Sequence, residues 1–147
     1  MRYFALFLLL LLAACGQKPA TMEDFNTRDL TLANGKTIHV EVMLDTTDML
    51  RGMMFRTSLD PARGMLFIHR TPGTYGYWMY QTMIPLDIIW MDASKQVVEI
   101  VTSAPPCKTE ASKCPHFGGT ETAQYVLEIG SGQAKQNGIR IGDTITF

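Results

Sequence analysis

Between Thr27 and Phe147 the apolar residues fall into short runs of strand length separated by turn signals, with only two brief stretches at helical spacing. This pattern restricts the fold more than any other feature of the chain, because runs too short for core helices must bury their faces as strands of a shared sheet. Arg28 to Ala33, Asn34-Gly35 and Lys36 to Leu44 predict a β-hairpin, since Asn-Gly favours the tight turn that matches strand twist. Ile38, Val40, Val42 and Leu44 alternate and are expected to face the core. Asp45 or Thr46 can cap a short helix reaching about Phe55, where Met49, Leu50, Met53 and Met54 recur at helical spacing and Gly52 weakens the turn. Gly64 to Ile68, Tyr75 to Tyr80, Leu86 to Met91 and Gln96 to Thr102 read as strands, the last two joined by the turn Asp92-Ala93-Ser94-Lys95. Ser103 to Thr122 is a long irregular segment holding Pro105, Pro106, Pro115 and Cys107 and Cys114, and a loop of that length in a compact domain is functional or stapled. Tyr125 to Ile129 is a further strand, Gln133 to Asn137 a short helix stopped by Gly138, and Asp143 to Phe147 a terminal strand. Regular βαβ alternation is absent. The expected fold is therefore α+β: a mainly antiparallel β sheet or partly closed barrel of about seven strands with two short helices.

The first residues carry a different kind of information. Arg2 precedes an unbroken apolar run from Tyr3 to Leu12, which suits an export signal and falls short of the roughly 20 residues that a spanning helix needs. The ending Leu12-Ala13-Ala14-Cys15 resembles the bacterial lipobox, which implies that Cys15 carries the lipid and becomes the new N-terminus. The alternative is an ordinary signal peptide followed by a fortuitous cysteine. The domain organisation read from the chain is a lipoprotein signal peptide over 1–14, a small, polar tether over 15–26, and a single globular domain over 27–147. Without residues 1–14 the 147-residue chain keeps 133, enough for one core and too few for two ordinary domains. The expected location is the periplasmic face of the cell envelope. Gly16-Gln17 lacks the aspartate that commonly retains such proteins in the inner membrane, so the outer membrane is favoured.

A formal net charge of −1 supplies no basic footprint for nucleic acid. Once Cys15 is assigned to lipid, the other two cysteines form an even set, and a structural disulfide between Cys107 and Cys114 is the default in an oxidising compartment. Six residues separate them, too many for the Cys-x-x-Cys arrangement of dithiol exchange, and His116 alone does not complete a zinc site.

Several ordered blocks make the chain similar to a known family. Arg51-Gly52-Met53-Met54-Phe55-Arg56, Gly64-Met65-Leu66-Phe67, Trp78-Met79, Ile84-Pro85-Leu86-Asp87-Ile88, Tyr125-Val126-Leu127-Glu128 and Gly142-Asp143 together resemble the bacterial and archaeal domain of unknown function family 192. The resemblance spans nearly all of residues 28–147. It implies a single compact domain, often exported, with no established activity. Family members often read Trp-Met-Lys-Asn-Thr where this chain has Trp78-Met79-Tyr80-Gln81-Thr82, so a role for that Lys or Asn is in doubt here, while Gln81 keeps an amide that can donate and accept.

Five residues stand out as candidates for binding: Arg51, Arg56, Trp78, Gln81 and Asp87. Asp87 interrupts an apolar strand, and a carboxylate so placed needs a partner. The plain reading is an internal arginine–aspartate pair fixing helix to sheet, and the sharper one is an arginine fork presented to a carboxylate or phosphate ligand. Tyr75, Tyr77, Trp78, Tyr80 and Trp90 lie on two adjacent candidate strands; alternation puts Tyr75, Tyr77 and Met79 on one face and Trp78 and Tyr80 on the other, one set for packing and one free to stack on a sugar or peptide. Met49 and Met53 could share a face toward copper(I), but methionine is also a common core filler, and no metal or cofactor is assigned. His39, His69 and His116 are scattered, and no serine sits in a nucleophile elbow. The functional expectation is a lipid-anchored envelope module binding a small molecule, a glycan or a protein partner. The alternatives are a small envelope hydrolase using Asp87, with Asp143 as second carboxylate, or a structural envelope assembly factor, so whether the chain is an enzyme stays open.

Overall fold

A computed structural model of the chain describes residues 26–147. The signal segment, Cys15 and all but the last residue of the tether lie outside the described residues. The strands are β1 (Thr27–Thr31), β2 (Thr37–Met43), β3 (Arg63–Gly73), β4 (Tyr77–Trp78), β5 (Leu86–Met91), β6 (Val97–Ala104), β7 (His116–Phe117) and β8 (Ala123–Gly130), with helices α1 (Thr46–Arg51) and α2 (Gln133–Gln136). Six of them form one open sheet in the order β1-β2-β3-β8-β5-β6, while β4 and β7 make a separate two-stranded ribbon. All neighbours in the large sheet run antiparallel except β2 and β3, which are parallel. A parallel pair cannot be joined by a tight turn. Residues 44–62 make that crossover and carry α1 with them.

The central strands are buried on both faces, which explains why they read as continuous apolar runs rather than as alternating ones. All six residues of β5 are buried. On one face Leu66, Ile89, Met91, Leu127 and Ile129 pack with Val40 and Ile38 of β2, Ala134 of α2 and Ile145 near the C-terminus. On the other, Met65, Phe67, Ile88, Trp90 and Val126 pack with Met53 from the crossover and Met79 from the aromatic segment. The disulfide Cys107–Cys114 is formed, and an isolated bridge from Tyr80 to Cys107 ties the stapled loop to the aromatic segment. The same loop closes over Trp90, whose indole Nε1–H donates to the Tyr75 carbonyl at 2.7 Å. Gly118 lies against that ring at φ +59, where a Cβ would come within 2.4 Å of it, so only glycine fits there.

The structure departs from the sequence reading at element ends. The first hairpin turns through three residues, Ala33-Asn34-Gly35, with Gly35 at φ 80 and the Leu32 N–H donating to the Lys36 carbonyl at 2.8 Å. The chain leaves the sheet at Met43, so Leu44 is 57% exposed instead of facing the core. Helix α1 stops at Arg51 because Gly52, at φ 44, turns the backbone out of the helix while its N–H caps the Asp48 carbonyl. At the C-terminus the expected strand is reduced to isolated bridges from Thr144 to Gln96 and from Thr146 to Thr31.

Asp87 sits on the first of the two faces, and its partners are backbone groups. A register shift between Leu86 and Ile88 bulges β6 and frees the N–H of Ser103, which donates to Asp87 Oδ1 at 2.8 Å. Oδ2 accepts the Ala134 N–H of α2, also at 2.8 Å. One carboxyl group thus clamps a bulge and a helix to the central strand. Asp87→Asn turns one acceptor into a donor facing a backbone N–H, and the expected loss is about 3 kcal/mol of folding free energy, read from urea unfolding. A change below about 1 kcal/mol would show that the clamp contributes little.

Candidate functional site

The second face holds the chemically unusual group. Alternation along β8 puts Glu128 on the same side as Val126, between Met65 of β3 and Ile88 of β5, its partners in the ladders. Glu128 is 4% exposed. Its Oε2 is the only buried side-chain polar atom among the described residues that has no hydrogen-bond partner. Burial pushes the carboxyl up to about 8, with the positive charge of Arg56 pulling weakly the other way.

Glu128 forms part of a narrow cleft lined also by Met49, Met53, Tyr77, Trp78, Tyr80 and Thr82. Its free volume is about 30 Å³, room for roughly one water-sized group. Tyr77 is fixed there by edge-on contacts with Phe67 and Trp90, at centroid distances of 5.1 and 5.9 Å. Its hydroxyl lies 3.2 Å from His69 Nε2. Burial and, after it, the Glu128 charge hold the Tyr77 hydroxyl far above its ordinary range, so it stays protonated. His69 stacks on Tyr75 at 3.5 Å, and burial lowers its imidazole. Trp78 and Tyr80 are half-buried, 5.3 Å apart between centroids, and Trp78 also stacks on His116. Met79 turns to the core, whereas Tyr77, Trp78 and Tyr80 all line the cleft. Only Tyr77–Trp78 are strand, and they pair with β7, so the expected strand over Tyr75 to Tyr80 adjacent to that of Trp90, with two separate faces, does not form.

One further contact shapes the cleft. Phe55 donates its N–H to the Gln81 carbonyl at 2.9 Å, and both residues hold left-handed backbone, at φ 65 and 54. A bridge between Met54 and Thr82 adjoins it. Non-glycine residues in that region cost on the order of 1 kcal/mol or more each, so the crossover is pinned to the aromatic segment by a strained junction.

Of the five residues singled out from the sequence, Arg51 and Trp78 line this cleft. Arg51 is exposed. Arg56 is near enough to bias Glu128, but its guanidinium gives both forks to Glu41, at 2.6 Å each, and this pairing draws the Glu41 carboxyl below its ordinary range. The arginine–carboxylate pair that fixes the crossover to the sheet is therefore Arg56 with Glu41, in place of the expected pairing with Asp87. Gln81 acts through its backbone at the strained junction and is not part of the lining. Asp87 faces the opposite side of the sheet with both oxygens taken, and Asp143 Oδ2 accepts the Arg140 N–H at 2.8 Å. Among the lining residues, Glu128 was not picked out by sequence reasoning, while Tyr77 and Met53 entered only through the aromatic set and the copper(I) pair. The signal for Glu128 was nevertheless present: Val126-Leu127-Glu128-Ile129 interrupts an apolar run with a carboxylate, the same feature that drew attention to Asp87. Two wider, more open depressions lie elsewhere, one beside Pro61, Pro85 and Ser131 and one beside Lys36 and Gln136, and no unpartnered buried group opens into either.

The raised Glu128 carboxyl has a signed consequence for stability. Its folded value of about 8 lies above the ordinary 4.5, so its contribution is fully present below pH 4.5 and is lost as pH rises to about 8. Across that window the wild-type chain is expected to lose on the order of 4 kcal/mol relative to Glu128→Gln, with a slope approaching about 1.4 kcal/mol per pH unit. Paired urea titrations at pH 5, 6, 7 and 8 read the difference, and a pH-independent difference would contradict the burial of an unpartnered acid.

The profile of the DUF192 family, described as "Uncharacterized ACR", matches residues 30–147. No curated protein matches the chain. Among solved structures, a protein of unknown function from Novosphingobium aromaticivorans DSM 12444 is similar with a TM-score of 0.75 at 29% identity, over 82% of this chain and 85% of that one. A protein from Sinorhizobium meliloti 1021, described as a candidate transcription regulator, is similar with a TM-score of 0.73 at 29% identity, over 82% of this chain and 92% of that one.

Proposed function

This chain belongs to the DUF192 family, a premise from which we propose that it is a binding module held in the cell envelope by lipid on Cys15, taking its ligand at the Glu128 cleft. The ligand is a small molecule, or the end of a glycan or protein chain, that enters head first between Trp78, Tyr80 and Met49. The observation that carries this reading is the unpartnered, buried Glu128 oxygen at a cleft with aromatic walls. A buried polar atom without a partner costs about 1–3 kcal/mol, and a ligand that hydrogen-bonds to it removes that cost on binding. Aromatic walls with a few convergent polar groups, here Glu128, Thr82 and Arg51, are a common composition of a small-ligand site. Occupied oxygens on Asp87 and Asp143 favour binding over the two-carboxylate hydrolase. The regulator description of the Sinorhizobium relative is not extended to this chain, whose net charge of −1 gives no phosphate-binding footprint.

The anchor reading rests on Leu12-Ala13-Ala14-Cys15 and the polar stretch after it. The lipid leaves the domain at the periplasmic side, on the outer membrane by the Gly16-Gln17 criterion. Expressed at full length in a bacterial host, the protein is expected to incorporate labelled fatty acid and sediment with membranes. Cys15→Ser is expected to lose the label, and label retained in that variant would remove the anchor.

The cleft is tested by thermal unfolding of the domain against a panel of short oligosaccharides, dipeptides and small alcohols, amides and amines. A ligand at one hundred times its Kd stabilises by about 2.7 kcal/mol, which raises the midpoint by several degrees. The expected outcome is a compound that shifts the wild type and fails to shift Trp78→Ala and Glu128→Gln. A panel whose every shift is equal in the wild type and both variants would place binding elsewhere.

A further inference from the structure

Resting on the reading of the Glu128 cleft as a binding site, we propose that its ligand is a primary ammonium group on a thin alkyl stem, with Glu128 as counter-ion and the Tyr77, Trp78 and Tyr80 rings as walls. Three observations converge on that chemistry. The first is charge: Glu128 Oε2 is buried and has no hydrogen-bond partner, so the cleft offers an acceptor to a ligand that brings its own N–H groups. Arg56, the cation that biases Glu128, is engaged by Glu41 through two bonds of 2.6 Å, and its pull on Glu128 is outweighed by burial.

The second is lining. Aromatic rings attract a cation through their negative faces where aliphatic walls do not, and desolvation strengthens the attraction. Thr82 in the same lining adds a hydroxyl, and Met49 and Met53 add thioether sulfurs that accept weakly, so an ammonium with several N–H groups finds more than one acceptor. An anionic head group would meet the Glu128 carboxyl at the buried end of the cleft, with the one cation of the lining, Arg51, at the exposed end and the Tyr77 hydroxyl already shared with His69 at 3.2 Å.

The third is size. A free volume of about 30 Å³ favours a compact head group such as a primary ammonium. A quaternary ammonium or a guanidinium needs more room. The stem of the ligand must lie outward, where Leu50 is 60% exposed beside the cleft and offers an apolar strip for methylene carbons.

Binding must also move a proton. The charged and titratable groups around Glu128 are Arg51 of α1 at the exposed end of the cleft, Arg56 from the crossover, Tyr77 from β4 and Tyr80 beyond it, with Glu41 and His69 behind them, while Met65 and Ile88 on the flanking strands carry no charge. With its carboxyl near 8, free Glu128 is mostly protonated at pH 7. An alkylammonium keeps its own proton to about pH 10. Pairing therefore releases one proton from Glu128 to solvent, and no group on the ligand takes it up.

The experiment is calorimetric titration of the wild-type domain with ethylammonium chloride in buffers of different ionisation heat, from pH 6 to 9. Expected are saturable binding, release of close to one proton per ligand at pH 7, and an affinity that rises about tenfold between pH 7 and pH 9 as Glu128 ionises. Nα-acetyl-lysine methylamide carries the same head group on a peptide, so binding by either supports the proposal, and the tighter of the two identifies a free amine or a lysine side chain as the source. Tetramethylammonium, acetate and ethanol are expected to bind at least tenfold more weakly. Glu128→Gln, which keeps the side-chain shape, is expected to fold and to lose the ethylammonium response. Equal binding of tetramethylammonium, or binding without proton release, overturns the ammonium assignment. If acetamide binds in a Glu128-dependent way and ethylammonium does not, the ammonium assignment falls and the cleft stands as a site for neutral donors. If neither binds and the compound panel is also silent, both readings fall.

Discussion

A carboxyl group placed in a sheet that is buried on both faces has no water to turn to, and this constraint organises the molecule. Strands β5 and β8 lie side by side in the middle of the sheet, and each carries one such acid. Asp87 on β5 resolves the problem internally. The bulge of β6 frees one N–H, the start of α2 supplies another, and both donate to the carboxyl. Glu128 on β8 points to the opposite face, where the crossover, the aromatic ribbon and the stapled loop form the second layer, and there the problem is left open. The two acids are paired with Ile129 and Ile88 in the same ladder, so their opposite fates are set by what covers each face, not by sheet position.

The layer over Glu128 is built by unusual means. It contains one short helix, a two-residue ribbon and long loops, so regular hydrogen bonding supplies little of its rigidity. A disulfide, the Trp90 indole bonded to the Tyr75 carbonyl, a tight glycine approach at Gly118 and the bidentate Arg56–Glu41 pair do that work instead. The disulfide spans only seven positions, and the others connect the covering layer to the sheet across 15 or more. The left-handed Phe55 and Gln81 sit where the crossover meets the aromatic segment, at the rim of the cleft. Strain of this kind persists when its surroundings over-determine it, and it is found most often where geometry serves a ligand.

Much of the fold was legible in the chain because its signals are local. The Asn34-Gly35 turn, the continuous apolar run of β5, the Asp45 cap of α1 and the cysteine pair each depend on near neighbours in sequence. The parallel pairing of β2 with β3 was not legible, since both strands carry the same kind of pattern whichever way they run. Leu44 and the C-terminal strand were misread for a related reason: period-two alternation marks which residues suit a strand, but the end of pairing is set by the partner. The site was half legible. Trp78 and Arg51 reached the cleft from the aromatic and helical patterns, whereas Arg56 found Glu41, which sits on β2 with no sign of special status in sequence. Asp87 and Glu128 gave the same sequence signal, an acid in an apolar run. Only the three-dimensional partners separate the clamp from the open acceptor.

That separation has a thermodynamic form. A satisfied acid and an unsatisfied one both tolerate burial, but they respond differently to removal. For Asp87, loss of the carboxyl strands two backbone donors, so the native state suffers. For Glu128, neutralising the side chain relieves the native state above pH 7, because the ionised form is the one the site cannot hold alone. A protein that kept Glu128 only for folding would do better with glutamine or methionine at that position, since an apolar or neutral residue of similar volume avoids the burial cost. The acid is worth its cost to the free protein only if something that binds at the cleft interacts with the ionised carboxylate, and proteins commonly concede stability of this kind at the sites they use.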